Sequence, residues 1–201
     1  MSGERTDRPG WAERMAGTVL DTPRRGPLTR VVAVEGRSGS GKSTVAERVR
    51  RALADRGEPV AVLTMEDLYP GWDGLAEAPG LLRQGVLEPL RHGRTAAWRR
   101  YDWERGAFGT EWVDLPPELA GREGTLLVEG CGSGAASVGD LLDLLVWVEA
   151  PVHKRYQRLD RRDDAEAYAP YRALWARQED DLYARAHPRE RADLRLDNTA
   201  G

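Results

Sequence analysis

The segment VVAVEGRSGSGKST, at residues 31–44, restricts the possible folds of this 201-residue chain more than any other part of it. Gly36, Gly41, Lys42 and Ser43 fit the pattern G-x-x-x-x-G-K-[ST] without a gap. In this pattern the glycines let backbone N–H groups curl around phosphate oxygens, the lysine reaches the terminal phosphates, and the serine hydroxyl can ligate Mg²⁺. The segment therefore predicts a site for the phosphates of a nucleotide.

The residues around this loop predict a strand before it and a helix after it. Residues 29–35 form an apolar, largely β-branched run typical of a strand buried on both faces. Residues 43–56 place apolar side chains at helical spacing, and Gly57 follows as a helix stop. A strand, a glycine-rich turn and a helix in this order distinguish a phosphate-binding loop from a chance match. The predicted nucleotide-binding residues of the loop are Gly36, Ser38, Gly39, Ser40, Gly41, Lys42, Ser43 and Thr44.

Further apolar runs predict the rest of the fold. Four of them read as strands, at 60–65, 125–129, 144–148 and 192–196, and helical patterns lie at 152–162 and 171–186. Strands that alternate with helices predict a three-layer α/β/α fold with a five-stranded parallel sheet. We interpret residues 1–28 as a partly flexible leader outside the core, and residues 29–201 as one domain.

The segment between the second and third strands, residues 66–124, is unusually long for a βα connection, and such insertions tend to be functional. A helical pattern occupies 79–91, and 98–115 reads as two short strands around a turn. Tryptophan and tyrosine are concentrated here, so we predict an acceptor-binding insertion whose aromatic side chains either form its own core or clamp a planar base or a sugar. The predicted acceptor-binding residues are Trp72, Tyr101, Asp102 and Trp103.

Acidic residues follow two of the predicted strands. Glu66 and Asp67 come directly after the second, and Glu129 ends the third. In phosphoryl transfer a carboxylate orients or deprotonates the attacking hydroxyl, so either Glu66 or Asp67 could be the base. Glu129 could hold Mg²⁺ together with Ser43. The alternative is that all three are solvated acids at strand ends.

An arginine stripe marks the predicted helix after the fourth strand. Arg155, Arg158 and Arg162 recur at i, i+3 and i+7 and so share one helix face. The guanidinium group of arginine can stabilise negative charge on a transferring phosphoryl group through paired N–H donors. We therefore predict that Arg158 and Arg162 are catalytic residues in a lid at 152–170. The alternative is a solvated face balanced by neighbouring aspartates.

Composition excludes several classes of function. The net charge of −3 gives no basic field for a polynucleotide, and no stretch approaches the roughly 20 apolar residues of a membrane span. The single cysteine forbids an intramolecular disulfide and the first thirty residues carry no apolar signal segment, so we expect a cytoplasmic protein. The three histidines lack metal-ligand spacing. The Asn-Lys-x-Asp signature that reads guanine is absent, which favours ATP as the donor.

Taken in order, these motifs resemble the uridine kinase, phosphoribulokinase and pantothenate kinase group of P-loop kinases, and uridine kinases most. The likeness rests on GRSGSGKST, on EDLY at 66–69, on YDW at 101–103, on VEG at 128–130, on RLDRRD at 158–163 and on ERADLRLDNT at 190–199. The resemblance implies a five-stranded parallel core and transfer of the ATP γ-phosphate to a hydroxyl, usually on a sugar. It also implies that Tyr69 contacts the acceptor, that Asn198 lies on the adenine side, and that the protein could be a homodimer.

Two departures leave the acceptor open. Glu66 stands where the resemblance implies a catalytic aspartate, and PGWDGL at 70–75 replaces a His-Pro-Asp-type sequence. A nucleoside monophosphate kinase, which would bind the acceptor's phosphate through Arg94, Arg99 and Arg100, is therefore an alternative. A nucleotide-binding regulatory ATPase with a protein partner is another.

Overall fold

The structure is a computed structural model that describes residues 3–199. Its strands are β1 (Glu4–Arg5), β2 (Thr29–Glu35), β3 (Val60–Thr64), β4 (Ala97–Trp98), β5 (Tyr101–Asp102), β6 (Ala107–Phe108), β7 (Val113–Asp114), β8 (Gly124–Glu129), β9 (Leu144–Glu149) and β10 (Leu194–Asp197). Six of them form one parallel sheet in the order β1-β10-β9-β2-β8-β3. The predicted α/β fold is thus confirmed, with one more strand than expected.

The helices cover both faces of this sheet. They are α1 (Trp11–Asp21), α2 (Lys42–Ala54), α3 (Ala78–Leu82), α4 (Glu88–Arg91), α5 (Val152–Leu159), α6 (Ala165–Tyr168), α7 (Arg172–Ala186) and α8 (Pro188–Arg191). A π-helical turn, Arg83–Leu87, joins α3 to α4, so that the helical pattern expected at 79–91 is present. Short 3₁₀ turns lie at Met65–Asp67, Gly74–Ala76, Ala136–Leu141 and Ala169–Tyr171. Within residues 3–199, no helix is both long and apolar enough to cross a membrane.

Apolar side chains fill two cores, one on each side of the sheet, because the central strands are buried on both faces. Every residue of β2 and of β8 is buried. Parallel strands present their carboxyl ends at one edge of the sheet, which is where α/β folds bind ligands. Glu35, Thr64 and Glu129, the last residues of β2, β3 and β8, lie at this edge.

The N-terminal segment differs from the expected leader outside the core. β1 pairs with β10 at the edge of the sheet, and α1 packs on α2. Trp11, Met15 and Val19 recur every four residues and are buried in the same core as Val45 and Val49 of α2. The apolar face of α1 is therefore buried against α2, which removes it from water.

Residues 66–124 contain four short strands rather than the two expected. β4 pairs with β7 and β5 with β6, each antiparallel, so that one small hairpin lies within another. Trp98 is buried in one of the two cores, together with Leu63 of β3, whereas Trp112 is exposed. Some aromatic residues of this segment therefore pack in the core, and others lie at the surface.

Candidate nucleotide and acceptor site

The loop between β2 and α2 has the backbone conformation that only glycine adopts freely. Gly36, Gly39 and Gly41 have φ angles of 153°, 77° and 92°. A Cβ on Gly36 would collide with the carbonyl oxygen of Val148, and one on Gly39 with that of Arg155. The absence of side chains at Gly36 and Gly39 therefore lets the loop pack directly against the backbone of β9 and α5.

Lys42 is buried and turned toward its own loop. Its Nζ donates to the carbonyl oxygens of Gly36, at 2.7 Å, and of Arg37, at 3.3 Å, and lies 3.5 Å from Sγ of Cys131. Burial alone would lower the Lys42 pKa, but Cys131 and the neighbouring carboxylates, Glu179 foremost, raise it above its ordinary value. Burial also raises the pKa of the Cys131 thiol to about 12, so this group is neutral near pH 7.

Ser43 and Glu129 lie together beside the loop, as the sequence predicts for a magnesium site. The Ser43 hydroxyl donates to Oε1 of Glu129 at 3.1 Å, and burial raises the Glu129 pKa. A hydroxyl and a carboxylate next to a phosphate-binding loop fit Mg²⁺, which proteins hold through one or two carboxylates plus substrate phosphates and water. Residues 3–199 contain no group of three or more acidic, histidine or cysteine side chains that could enclose a metal ion by themselves.

The first half of the loop is held by buried side chains to which the sequence pattern assigned no role. Glu35 is fully buried and accepts from the backbone N–H groups of Gly36, Gly132 and Gly134, at 2.8–2.9 Å, and burial raises its pKa. The Tyr183 hydroxyl donates to Glu35 at 2.9 Å, and Glu179 accepts from the N–H of Ser38 at 2.7 Å. One signal was available: Trp175, Glu179 and Tyr183 recur every four residues along α7, which places a carboxylate on the buried face of this helix.

The second half of the loop is held by Arg158 and Asn198. Arg158 donates to the carbonyl oxygens of Gly39 and Ser40, both at 3.1 Å, and to that of Asn198 at 2.7 Å. The Asn198 amide donates to the Ser40 carbonyl at 2.8 Å, and its oxygen accepts from the Thr6 hydroxyl. Asn198 contacts the loop from outside the lining of the cavity described next, and its place on the adenine side stays a prediction.

A cavity of about 650 Å³ opens beside the loop. The loop contributes Ser38, Gly39, Gly41, Lys42, Ser43 and Thr44, while Gly36 and Ser40 lie behind this surface. The rest of the predicted site contributes Glu66, Tyr69, Trp72, Trp103, Glu129, Arg158 and Arg162. The structure thus brings together phosphate-binding, acidic and aromatic groups that lie far apart in the sequence.

Glu66 and Asp67 separate, although the sequence left both open as the base. Glu66 lines the cavity. Asp67 does not, and its carboxylate accepts from Trp98 Nε1 and Arg100 Nε, both at 3.0 Å. Asp67 therefore connects the turn after β3 to the insertion and lies outside the cavity lining.

Arg162, in the segment predicted to be a lid, contacts the acidic side of the cavity. Its guanidinium donates to Asp164 at 2.8 Å and to Oε1 of Glu66 at 3.2 Å. Burial would lower the Arg162 pKa, but Glu66 and Asp164 raise it above its ordinary value. The ion pair with Glu66 thus connects the segment after α5 to the turn after β3.

The aromatic wall of the cavity is centred on Trp72. Its ring stacks on Tyr171, with centroids 4.7 Å apart and planes 7° apart, and lies 4.6 Å from the Trp103 ring. Tyr168 and Trp175 also contact Trp72 and line the cavity, and the sequence analysis missed both because they lie far from the insertion. Tyr69 is buried beneath this wall, where its hydroxyl donates to the Cys131 carbonyl.

Tyr101 and Asp102, two predicted acceptor-binding residues, lie outside the cavity lining. Asp102 Oδ1 accepts from the N–H groups of Glu104, at 3.0 Å, and Arg105, at 2.9 Å, which caps the turn between β5 and β6. Tyr101 packs edge-on against Trp103 and Phe108. Neither lines the cavity, so both shape the insertion that carries Trp103.

Solved structures with the same fold bear out the P-loop kinase resemblance. A protein described as a possible uridine kinase from Bacillus stearothermophilus matches over 92% of this chain and 97% of its own, with a TM-score of 0.66 at 20% identity. The chain has the fold of P-loop kinases. A second match, provisionally named as a fructose transport system kinase from Silicibacter sp. TM1040, covers 92% of this chain and 98% of its own, with a TM-score of 0.60 at 23% identity. No protein-family model and no curated protein matches the sequence.

Proposed function

We propose that this protein is a kinase that transfers the γ-phosphoryl group of ATP to a hydroxyl on a small molecule, with nucleosides as the first acceptors to test. One observation carries the proposal. A single cavity joins a phosphate-binding loop with Lys42, a hydroxyl–carboxylate pair suited to Mg²⁺, the carboxylate of Glu66 and an aromatic wall. Two structures with this fold bear kinase names, which supports the same class of reaction.

In the proposed reaction, the acceptor oxygen attacks the γ-phosphorus and the bond to the leaving ADP oxygen breaks. Lys42 and the loop amides hold the β- and γ-phosphates, and Arg162 moves from Glu66 to the transferring group. Glu66 then takes the proton that the acceptor hydroxyl loses. Ser43 and Glu129 would hold Mg²⁺, which neutralises charge that develops on the phosphates.

The cavity favours an acceptor without a phosphate of its own. A monophosphate acceptor needs arginines beside it, but Arg94, Arg99 and Arg100 do not line the cavity. Arg100 pairs with Asp67, and Arg99 lies over the rings of Phe108 and Trp112. The arginines that do line it, Arg158 and Arg162, belong to the lid.

A coupled assay of ADP release tests the proposal, with ATP and Mg²⁺ against nucleosides, nucleoside monophosphates, pantothenate and sugars. We expect a nucleoside to stimulate release and Lys42→Ala to abolish the signal. Stimulation by monophosphates alone would make the protein a nucleoside monophosphate kinase. Turnover that responds only to a protein would overturn the small-molecule kinase and favour a regulatory ATPase.

A further inference from the structure

Two neighbouring side chains of α7 bind the backbones of two different cavity segments. Glu179 Oε1 accepts from the N–H of Ser38 in the phosphate-binding loop, at 2.7 Å. Gln178 donates to the carbonyl oxygen of Trp72 at 2.7 Å and accepts from the N–H of Leu75 at 3.3 Å. We propose that α7 sets the separation between these two segments, with Gln178 and Glu179 as positioning residues for donor and acceptor. This inference rests on the proposed kinase function.

Helix geometry lets one element reach both segments. Consecutive residues of an α-helix point about 100° apart, so the side chains at 178 and 179 leave α7 in different directions. Trp175 and Tyr183 are buried one turn before and one turn after Glu179, and the Tyr183 hydroxyl oxygen lies 3.1 Å from the Gly36 carbonyl oxygen. The helix therefore cannot slide past the loop without breaking several contacts.

Glu179 acts on the loop and not on a substrate. Its side chain is 2% exposed and does not line the cavity. Besides Ser38 it accepts from the Cys131 thiol at 3.2 Å and lies 3.7 Å from the Arg37 guanidinium. A buried carboxylate that accepts a backbone N–H holds that group more firmly than a neutral acceptor does. The backbone at Ser38 is thus held in place before any nucleotide arrives, which lowers the ordering cost of binding.

Gln178 uses both ends of its amide on the segment that carries Trp72. The Trp72 ring lines the cavity, whereas its backbone and that of Leu75 are fixed to α7. An amide with both ends engaged in this way orients a neighbouring segment rather than reading a ligand. Loss of this side chain should loosen the aromatic wall and leave the phosphate-binding loop in place.

Hydrogen exchange and nucleotide binding test the two contacts separately. In Glu179→Ala we expect the 36–44 amides to exchange about 10-fold faster and the Kd of MgATP, by calorimetry, to rise about 10-fold, because the preformed loop is lost. In Gln178→Ala we expect faster exchange at 72–76 alone, with the Kd within about 2-fold of the parent. Glu179→Gln retains an acceptor for Ser38 and should restore the Kd to within about 3-fold. Asp181→Asn, an exposed change on the same helix, is the matched control.

Should Glu179→Ala fail to fold, Glu179→Asp keeps the charge but withdraws the carboxylate from Ser38, and the same loosening at 36–44 is expected. The inference is overturned if both segments loosen together in each variant, or if neither does, since α7 would then contribute only packing. These exchange measurements need no turnover. If no acceptor stimulates ADP release by the parent protein, the proposed kinase function is wrong. The exchange pattern would still decide whether α7 holds the two segments.

Discussion

At the scale of single residues, neighbouring carboxylates have different surroundings. Glu66 lines the cavity and forms an ion pair with Arg162, and its side chain is 57% exposed. The Asp67 side chain is 18% exposed and is held by the buried Trp98 indole and by Arg100. A general base must reach the acceptor hydroxyl. Glu66 lines the cavity and Asp67 does not, which favours Glu66 as the base of the proposed reaction.

Glu66→Gln should therefore lower kcat by about 100-fold or more with little change in the Kd of MgATP, since an amide cannot take the acceptor proton. Asp67→Asn is the matched comparison. It should stay within about 10-fold of the parent kcat and lower the free energy of unfolding by about 1 kcal/mol through weaker bonds to Trp98 and Arg100. Steady-state kinetics measures kcat, and urea unfolding measures the free energy of unfolding, in each of the two variants. Equal losses of kcat in the two variants would contradict the assignment of Glu66.

At the scale of elements, the phosphate-binding loop is defined by what lies against it. β9, α5 and α7 all contact its backbone, and side chains from α5, α7 and the segment after β10 bond its carbonyl and N–H groups. Because backbone carbonyls lie behind Gly36 and Gly39, the loop has no room for side chains there. Its shape is therefore a property of the packed fold as well as of its glycines.

Gly39→Ala should distort this loop, because the new methyl group meets the Arg155 carbonyl and the residue has a φ of 77°. We expect the Kd of MgATP to rise at least about 10-fold and the melting temperature to fall, as for a non-glycine residue forced into a strained conformation. Calorimetry and thermal melts provide the readouts.

Gly17→Ala is the control for this change. Gly17 lies within α1, and a Cβ there meets nothing within 4 Å. The same substitution should leave MgATP binding unchanged and raise the free energy of unfolding by about 0.5–1 kcal/mol, because alanine favours the helix. An unaltered Kd in Gly39→Ala would show that the loop tolerates a side chain.

At the scale of the whole molecule, the N-terminal segment belongs to the folded unit. α1 covers α2, the helix that begins at Lys42, and β1 extends the sheet beside β10. The Thr6 hydroxyl reaches Asn198, whose amide contacts the Ser40 carbonyl. The segment therefore supports the phosphate-binding loop from outside the cavity.

Trp11→Ala should consequently lower the free energy of unfolding by about 3 kcal/mol, the usual cost of deleting a buried large aromatic side chain. Trp11 is 5% exposed, whereas Trp112 is 66% exposed. Trp112→Ala removes the same side chain from the surface and should change stability by less than about 1 kcal/mol. Urea unfolding compares the two. A Trp11 variant as stable as the Trp112 variant would mean that residues 11–21 are dispensable for the fold.

The sequence by itself was sufficient for features that depend on local pattern. The G-x-x-x-x-G-K-[ST] motif, the five core strands and the helices at 43–56 and 171–186 follow from residue spacing, because strands and helices have fixed periods. The pairing of Ser43 with Glu129 was also foreseeable, since the ends of parallel strands meet at one edge of the sheet.

Only the tertiary structure decided which polar side chains face the cavity. Glu66 and Asp67 carry the same charge and adjoin in sequence, so their roles depend on where Trp98 and Arg100 pack. Asp102, a predicted acceptor ligand, caps a turn and lies outside the cavity lining. Tyr168, Trp175 and Glu179 reach the site from α6 and α7. No local pattern reports such long-range contacts, because they depend on how the lid and α7 pack across the sheet.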